Sequence, residues 1–470
     1  ILRSTWGFGG HVVSDCGAIQ DIHSNHKVTA TPAESAALAV RNGCDLNCGC
    51  TYEHLKEAVQ KGLLNEDDLD RALRNLFRTR MKLGMFDPAT HNPHTKISSS
   101  VVNCPRHRRL AREAATKSVV LLKNKEAVLP LGKEVQNVFV AGPNAADADV
   151  LLGNYYGVSS PMVTMVEGIA SRAGAGVTVE YKQGCLLDRE KSNPLDWTLG
   201  CARDADVVIA VMGISALIEG EEGDAILSSS VGDRVDIGLP RNQIEYIRDL
   251  SKTGTPLVVV LTAGCALSIP EVAEWADAIV YAWYPGEEGG NAVADVIFGR
   301  SNPAGRLPVT IVKGIDQLPP FEEYAMRDRT YRFMQQEPLF RFGFGLSYTS
   351  FSYSALRLSR SSIRPEQSVA VSATVKNTGK LAGDEVVQLY VSDVEASVAV
   401  PKLHLESFER IHLRPGEKKR VTFTLTPEHL AAYDDNGKPF VEPGAFEIAV
   451  GGCQPTDPSF CGLKTTLTVT

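Results

Sequence analysis

A single carboxylate, Asp15, stands directly after a short apolar run in the sequence VVSDCG. The run at residues 11–14 predicts a buried strand that ends in a polar turn, where a charge is costly unless it is paired or faces a cleft. Parallel α/β folds bind ligands at the carboxyl ends of their strands, so Asp15 is a candidate catalytic group. The local sequence fits a second interpretation equally well, because Asp is also a favoured helix N-cap.

Three glutamates crowd into a glycine-containing stretch, GISALIEGEEGD. Glu219, Glu221 and Glu222 follow an apolar run that ends at Met212. Like charges in close proximity favour protonation of one of them, which suits a general acid at near-neutral pH. The alternative is a solvated acidic loop, and composition alone favours that alternative.

Ten cysteines are many for a protein of a reducing compartment. Cys453 with Cys461, and Cys185 with Cys201, are two candidate disulfide pairs. No spacing of Cys and His residues matches a zinc site. Disulfides are expected in a secreted or periplasmic protein, and buried free thiols are the alternative.

The composition excludes two broad classes of protein. The 470 residues carry 48 basic and 56 acidic side chains, for a formal net charge of −8. No run approaches the roughly 18 uncharged apolar residues of a membrane-spanning helix. The mild acidity and the lack of Lys/Arg clusters argue against a nucleic-acid-binding surface. The length suggests about three domains.

The first segment, residues 1–90, is α/β material that is too short for a complete domain. An Ala-rich helix is predicted at residues 33–42, with Gly43 as its C-cap. Asn65 begins a second helix, which has an acidic first turn and ends at Gly84. The apolar stripe of this helix comprises Leu69, Leu73, Leu76, Phe77 and Leu83.

The middle segment, residues 116–320, is predicted to be a doubly wound α/β unit with parallel strands buried on both faces. The predicted strands are residues 138–140, 177–181, 207–212, 257–262 and 278–283. Helical stretches at 240–251 and 290–298 alternate with them. Trp283 and Tyr284 are expected in the core rather than as an aromatic platform for a ligand.

The final segment, residues 351–470, consists of short strand-like runs separated by turns such as NTGK, RPGE, DNGK and EPGA. This pattern is typical of a small antiparallel β-sandwich. A linker at residues 91–115 and an aromatic, Gly-rich connector at 321–350 complete the predicted organisation.

Five blocks of the sequence carry a family resemblance. In chain order they are WGFGGHVVSDCGAI, HRRLAREAATKSVVLLKNKEAVLPL, LIEGEEGD with DRVDIGLPRNQ, YPGEEGGNAVADVIFGRSNPAGRLPVT, and PLFRFGFGLSYTSF. Together they resemble glycoside hydrolase family 3, the family of β-glucosidases and β-xylosidases, over essentially the whole chain. The first block is similar to the nucleophile motif of that family, the second to the start of its second domain, and the third to its acid/base loop.

The resemblance implies a (β/α)8 barrel, an α/β sandwich and a fibronectin-III-like β-sandwich. Asp15 falls on the catalytic nucleophile and Glu219 on the general acid/base. Glu221 is the fallback for that second role and otherwise a candidate substrate-binding residue. The implied reaction is the retaining, exo-acting removal of a non-reducing-end sugar from plant-type β-glycans by double displacement, without metal or cofactor. Such chemistry needs two carboxyl groups about 5 Å apart.

Cys16 and Asp45 are further candidate substrate-binding residues. The glucosidase branch of the family commonly carries Trp at the position of Cys16, and SDC with a downstream DLNCG looks more like the xylosidase branch. A Cys16–Cys48 disulfide can crowd out the hydroxymethyl group of glucose and so favour xylose. The alternative is that Cys16 is simply a smaller residue, and Asp45 either lines the pocket or is structural.

The nucleophile motif lies near Ile1, whereas it lies late in the barrel of the family. We therefore expect residues 1–90 to be the C-terminal part of a barrel. The expected partners are the missing N-terminal barrel segment or a second protomer, and a β-linked oligosaccharide or aryl glycoside substrate, with no nucleic acid and no membrane. The alternative function is an inactive or partner-dependent fragment that acts as a carbohydrate-binding or structural module. Cysteine usage and family habit favour a secreted or periplasmic location.

Overall fold

The computed structural model describes residues 1–154, 156–189, 197–220, 225–228 and 234–470. Within these ranges the chain forms two compact units, Ile1–Val102 and Asn103–Thr470, which we call unit 1 and unit 2 and describe separately. None of the helices in the described ranges combines the length and the apolar character that a bilayer-crossing segment needs.

Unit 1, all of whose residues are described, contains four α-helices, and two of them begin at side-chain caps. They are α1 (Ala18–Ser24), α2 (Pro32–Arg41), α3 (Leu55–Gln60) and α4 (Glu66–Lys82). Thr31 caps α2 in a capping box with Glu34, and Asn65 caps α4 by accepting from the backbone N–H of Asp68. Both helices predicted from the sequence are confirmed. Short 3-10 turns occur at Thr51–His54, Ala89–His91, Pro93–Lys96 and Ser99–Val101.

The apolar stripe of α4 is largely uncovered. Leu69 packs against the small Ala-rich core of unit 1. Farther along the stripe, Leu73, Phe77 and Leu83 are 47%, 38% and 60% exposed. Unit 1 therefore presents an apolar helix face of the kind that proteins normally bury against another element.

The prediction of a regular strand at residues 11–14 is wrong. The segment forms one isolated parallel bridge, Val13 with Leu46, and the N–H of Ser14 donates to the carbonyl of Leu46 at 2.9 Å. A pair of segments without further neighbours lacks the additional hydrogen-bonded strands that stabilise a sheet. The parallel pairing still brings the residues after Val13 and those after Leu46 to the same end of the pair.

Unit 2 begins with an α/β layer. Its strands are β1 (Val120–Asn124), β2 (Asn137–Ala141), β3 (Thr178–Lys182), β4 (Val207–Gly213), β5 (Leu257–Thr262) and β6 (Ala278–Tyr281). In the described residues they form one sheet in the order β1-β6-β5-β4-β2-β3, parallel except for β1. The predicted strands are confirmed, although β6 ends at Tyr281 rather than at Trp283. Strand β1 was not predicted from the sequence.

Helices and apolar clusters cover both faces of this sheet. The helices of unit 2 are α5 (Pro105–Ser118), α6 (Met165–Arg172), α7 (Trp197–Asp204), α8 (Ala216–Glu219), α9 (Arg241–Ser251), α10 (Pro270–Trp275), α11 (Gly289–Ile297) and α12 (Thr330–Phe333). Met212 packs with Ile247 on one face, and Val211 packs with Ile297 on the other. Such two-sided burial is typical of a parallel sheet. Short 3-10 turns occur at Lys125–Ala127, Asp149–Leu151, Ile315–Gln317 and Pro427–Leu430.

The C-terminal part of unit 2 is the predicted β-sandwich. Its strands are β7 (Phe351–Leu358), β8 (Ser362–Ile363), β9 (Val369–Asn377), β10 (Gly383–Asp393), β11 (His404–Leu413), β12 (Lys418–Leu425), β13 (Ala432–Tyr433), β14 (Pro439–Phe440), β15 (Gly444–Gly451) and β16 (Leu463–Val469). The two main sheets have the orders β11-β10-β15-β16-β8 and β12-β9-β7. Pairing is antiparallel except between β8 and β16. The turns predicted from the sequence connect these strands.

A buried ion pair attaches the β-sandwich to the α/β layer. Arg306 donates through Nε to the carbonyl of Gly452 at 3.1 Å and through Nη2 to Oε1 of Glu385 at 3.3 Å. The side chains of Arg306 and Glu385 are 9% and 4% exposed. Burial raises the pKa of Glu385, and the guanidinium of Arg306 acts in the opposite direction. The pair therefore compensates a charge that is costly to bury alone.

Candidate active site

Asp15 lies directly after the parallel pair of unit 1 and is exposed. Its Oδ1 accepts from the backbone N–H of Cys16 at 2.8 Å. The N-cap of α1 is Gly17, with a φ of 74° and no side-chain cap, so the interpretation of Asp15 as a helix cap is wrong. The left-handed glycine turns the chain into the helix and leaves Asp15 outside it.

The DLNCG segment lies beside the Asp15 turn. The hydroxyl of Ser14 accepts from the N–H of Cys48 at 2.9 Å, and the N–H of Gly17 donates to the carbonyl of Cys48 at 2.9 Å. Cys48 is a free thiol, so the Cys16–Cys48 disulfide considered from the sequence is not formed. Cys16 is an exposed residue that follows Asp15 directly.

The other two candidate cysteine pairs are also not bonded. Cys185 and Cys201 are free thiols, and Cys201 accepts from Nζ of Lys182 at 3.0 Å. Cys453 and Cys461 are free thiols as well. Burial raises the pKa of Cys185 and of Cys453 to about 12. All four residues are free thiols, and the alternative of buried free thiols holds for Cys185 and Cys453, whereas Cys461 is exposed.

Asp45 is tied to three parts of unit 1. Its Oδ2 accepts from Nη2 of Arg3 at 2.5 Å and from the N–H of Val12 at 2.9 Å, and its Oδ1 accepts from Nδ2 of Asn75 at 3.0 Å. The residue is 8% exposed. These contacts fit a structural role rather than a pocket-lining one, because both carboxylate oxygens are used to hold the unit together.

Glu219 is the last residue of α8, the single helical turn that follows β4 and is capped by Ser215. Its Oε1 accepts from the N–H of Gly264 at 2.6 Å. Its Oε2 accepts from the thiol of Cys265 at 3.0 Å. Asn154 donates to its backbone carbonyl at 3.4 Å. The carboxylate is therefore held by the loop that follows β5.

A tyrosine and an arginine complete the surroundings of Glu219. The hydroxyl of Tyr284 is buried and has no hydrogen-bond partner within the described ranges. Burial and the nearby charge of Glu219 raise the pKa of Tyr284. Arg234 donates through Nη1 to the sulfur of Cys265 at 3.3 Å. Burial, and to a smaller extent the contact with Glu219, raises the pKa of Cys265 to about 11, so its thiol is protonated at neutral pH.

Three adjacent strand ends meet at this carboxylate. Glu219 follows β4, Gly264 and Cys265 follow β5, and Tyr284 follows β6. These strands are neighbours in the sheet, and the carboxyl ends of neighbouring parallel strands form the crevice where open α/β sheets bind ligands. Gly264 and Cys265 were not predicted as site residues, although their position just after a predicted strand was a usable signal.

The two aromatic residues after β6 have different surroundings. Trp283 packs against the core and donates through Nε1 to the carbonyl of Ser118 at 3.1 Å, as the sequence analysis expected. Tyr284 instead contributes its hydroxyl to the surroundings of Glu219. Glu221 and Glu222 lie outside the described residues. In the ranges that are described, no three His, Cys, Asp or Glu side chains are grouped as metal ligands.

Comparisons with known proteins agree with this architecture. The family model of the glycosyl hydrolase family 3 N-terminal domain matches residues 1–79, and that of the glycosyl hydrolase family 3 C-terminal domain matches residues 119–348. "Fibronectin type III-like domain" matches residues 385–454. The three matched ranges fall, in chain order, in unit 1, in the α/β layer of unit 2 and in its β-sandwich.

Individual relatives are similar over nearly the whole chain. A periplasmic β-glucosidase of Salmonella typhimurium is 34% identical over 96% of this chain and 63% of its own length. A β-xylosidase of Formosa agariphila is 35% identical over 97% of this chain and 65% of its own. The structure of a β-glucosidase from Erythrobacter marinus superposes with a TM-score of 0.86 at 36% identity, covering 100% of this chain and 64% of that one.

Fold, motifs and relatives define a multidomain protein of the glycoside hydrolase class. The chain belongs to glycoside hydrolase family 3. It spans slightly less than two thirds of the length of each of these relatives.

Proposed function

We propose that this chain carries the two catalytic carboxylates of a retaining, exo-acting β-glycosidase. Asp15 is the nucleophile and Glu219 is the general acid/base. The observation that carries the proposal is the carboxylate of Glu219, fixed by two hydrogen-bond donors at the carboxyl ends of three adjacent strands. The names of the relatives, β-glucosidases and β-xylosidases, support a hydrolase and do not favour an inactive binding module.

The proposed mechanism is a double displacement. Asp15 attacks the anomeric carbon while Glu219 gives its proton to the leaving-group oxygen, which forms a covalent glycosyl–enzyme intermediate. Glu219 then takes a proton from the incoming water, which hydrolyses the intermediate. The donors at Gly264 and Cys265 support this cycle because they stabilise the carboxylate that exists between the two proton transfers.

The proposed substrates are plant-type β-glycans with a non-reducing terminal xylose or glucose. With Cys48 a free thiol, a disulfide does not exclude the hydroxymethyl group of glucose. We therefore expect both sugars to be accepted, and hydrolysis of nitrophenyl xyloside and nitrophenyl glucoside measures the preference.

The barrel architecture of unit 1 is part of the proposal. The parallel pair and the uncovered face of α4 fit the C-terminal part of a (β/α)8 barrel, whose remaining strands and helices would cover that face. We propose that a further barrel segment or a second protomer provides this cover. Size-exclusion chromatography combined with a glycosidase assay tests it, and an active monomer of this chain alone would contradict it.

The nucleophile is tested with Asp15→Asn. We expect turnover to be abolished, because the amide cannot attack the anomeric carbon. Asp21→Asn is the matched control, since Asp21 is an acidic residue of the adjacent helix whose carboxylate accepts from Asn25. Steady-state hydrolysis of nitrophenyl glycosides measures both variants. Turnover of Asp15→Asn close to that of the wild type would refute the assignment.

The acid/base is tested with Glu219→Gln. A dinitrophenyl leaving group needs no protonation, so the glycosylation step should be largely spared with that substrate and slowed about 100-fold or more with an unactivated alkyl glycoside. Pre-steady-state bursts separate this step from hydrolysis of the intermediate. Equal losses on both substrates would count against Glu219.

A further inference from the structure

The thiol of Cys265 makes the second of the two hydrogen bonds to the carboxylate of Glu219, at 3.0 Å from Oε2. The backbone N–H of Gly264 makes the first, to Oε1. We propose that Cys265 is a positioning residue for Glu219, which holds the carboxyl group in one orientation while that group gives up and takes back a proton. This inference rests on the proposed role of Glu219.

Cys265 is itself fixed at two points. Tyr281 donates its hydroxyl to the backbone carbonyl of Cys265 at 2.6 Å. Arg234 donates through Nη1 to the sulfur at 3.3 Å and through Nη2 to the carbonyl of Gly238 at 2.6 Å. Because Arg234 occupies the sulfur as a donor, the thiol proton is directed to the other neighbour of the sulfur, Oε2 of Glu219.

The titratable and charged groups that surround Glu219 in the described ranges are Cys265, Arg234, Tyr281 and Tyr284. Burial, with a smaller contribution from Glu219, raises the pKa of Cys265 to about 11. Burial also raises the pKa of both tyrosines. The Cys265 thiol and both tyrosine hydroxyls are therefore protonated at neutral pH, so a change in the alkaline limb of the pH profile does not arise from their ionisation.

The first test is the activity of Cys265→Ala and Cys265→Ser. Loss of the donor in Cys265→Ala should lower kcat/KM about tenfold on an unactivated glycoside and much less on a dinitrophenyl glycoside, because only the former needs a positioned acid. The alkaline limb of the pH profile should move to higher pH, since a hydrogen bond to the ionised form of an acid favours ionisation. The hydroxyl of Cys265→Ser should restore most of the activity.

The matched control is Cys201→Ala, because Cys201 is also a half-buried thiol but contacts Lys182 and lies on α7. We expect its activity to be unchanged. Circular dichroism verifies that the Cys265 variants are folded. An unchanged profile in Cys265→Ala, or an equal loss on both substrates, would overturn the inference.

The second test does not depend on activity. In Glu219→Gln, loss of the negative charge should lower the pKa of the Cys265 thiol and raise its alkylation rate by iodoacetamide at pH 8, by about threefold for half a pKa unit. Peptide mass spectrometry measures this rate, with Cys201 as the internal reference. An unchanged rate at Cys265 means that the contact is absent and overturns the inference.

The two tests separate this inference from the proposed function. If Glu219→Gln shows no dependence on the leaving group, the proposed function fails even when the alkylation rate confirms the contact. If Glu219→Gln behaves as the loss of an acid and Cys265→Ala behaves as the wild type, the positioning role alone fails.

Discussion

Gly264 has no room for a side chain. A Cβ atom built on it overlaps Oε1 of Glu219 and lies 3.1 Å from the ring of Tyr284. Gly264→Ala should therefore displace the carboxylate, and a displacement of about 1 Å in a catalytic group costs about 100-fold in rate. Hydrolysis of an unactivated alkyl glycoside measures the loss.

The matched control for this substitution is Gly200→Ala. Gly200 lies in α7, and a Cβ built on it has no neighbour within 4 Å. We expect unchanged activity and a gain in stability of about 0.5–1 kcal/mol, because Ala replaces Gly in a helix. Equal activity of the two variants would contradict the tight packing at Gly264.

The sequence supplied the acidic residues of the candidate site but not their neighbours. Asp15 and Glu219 are predicted because both lie in blocks that resemble family motifs, since each carboxylate alone also fits a helix cap or a solvated acidic loop. Cys265 and Tyr284 each follow a predicted strand, but their contact with Glu219 depends on strands that are adjacent in the sheet and distant in the chain. The catalytic roles of Asp15 and Glu219 stay predictions.

At the scale of elements, the capping box of α2 makes a pH-dependent contribution. Hydrogen bonds from the backbone N–H groups of Ala30 and Thr31 lower the pKa of Glu34 below its ordinary value of 4.5. A carboxyl group whose pKa is lowered by folding stabilises the folded state above its unfolded pKa and loses this effect as the pH falls through the lowered value. Glu34→Ala should therefore weaken α2 at pH 7 and have little effect at pH 3.

Hydrogen exchange of the amides of α2, compared with the wild type at each pH, measures this difference. Glu53→Ala serves as the control, because Glu53 lies in the neighbouring 3-10 turn and is not part of a capping box. The same loss of protection at pH 3 as at pH 7 would show that the carboxylate of Glu34 does not act through its charge.

Helices and strands could be predicted where the local sequence carries a hydrophobic pattern or a cap. They could not be predicted where pairing with a distant segment determines whether a strand forms. Helix α4 begins at an Asn cap and the strands β4 and β5 are continuous apolar runs, so local sequence was sufficient. Strand β1 was missed because it follows α5 almost directly and pairs antiparallel with β6, more than 150 residues away. The segment at residues 11–14 has the composition of a strand, but it pairs with a single other segment and so does not form a regular strand.

At the scale of the whole molecule, the Arg306–Glu385 pair should govern how the β-sandwich and the α/β layer unfold. Arg306→Met leaves the carboxylate of Glu385 buried without its cation, which costs about 3–5 kcal/mol at neutral pH. We expect the two parts of unit 2 to lose their common unfolding transition. Urea denaturation followed by tryptophan fluorescence and by circular dichroism measures this loss.

The deficit of Arg306→Met should shrink in acid. Burial raises the pKa of Glu385, so the folded state binds the proton of this group more tightly than the unfolded state does. The contribution of Glu385 to the stability of the folded state is therefore most favourable below pH 4.5, its ordinary pKa, and decreases as the pH rises through its raised pKa. Arg300→Met, at an exposed arginine nearby in the chain, is the control and should show no such pH dependence.

The groups that hold Glu219 all belong to unit 2, whereas the described surroundings of Asp15 belong to unit 1. Under the proposed roles, substitutions around the general acid/base therefore fall in unit 2 and leave the local contacts of the nucleophile in unit 1 unchanged. The contacts of the proposed nucleophile can be inherited unchanged while those of the proposed acid/base vary.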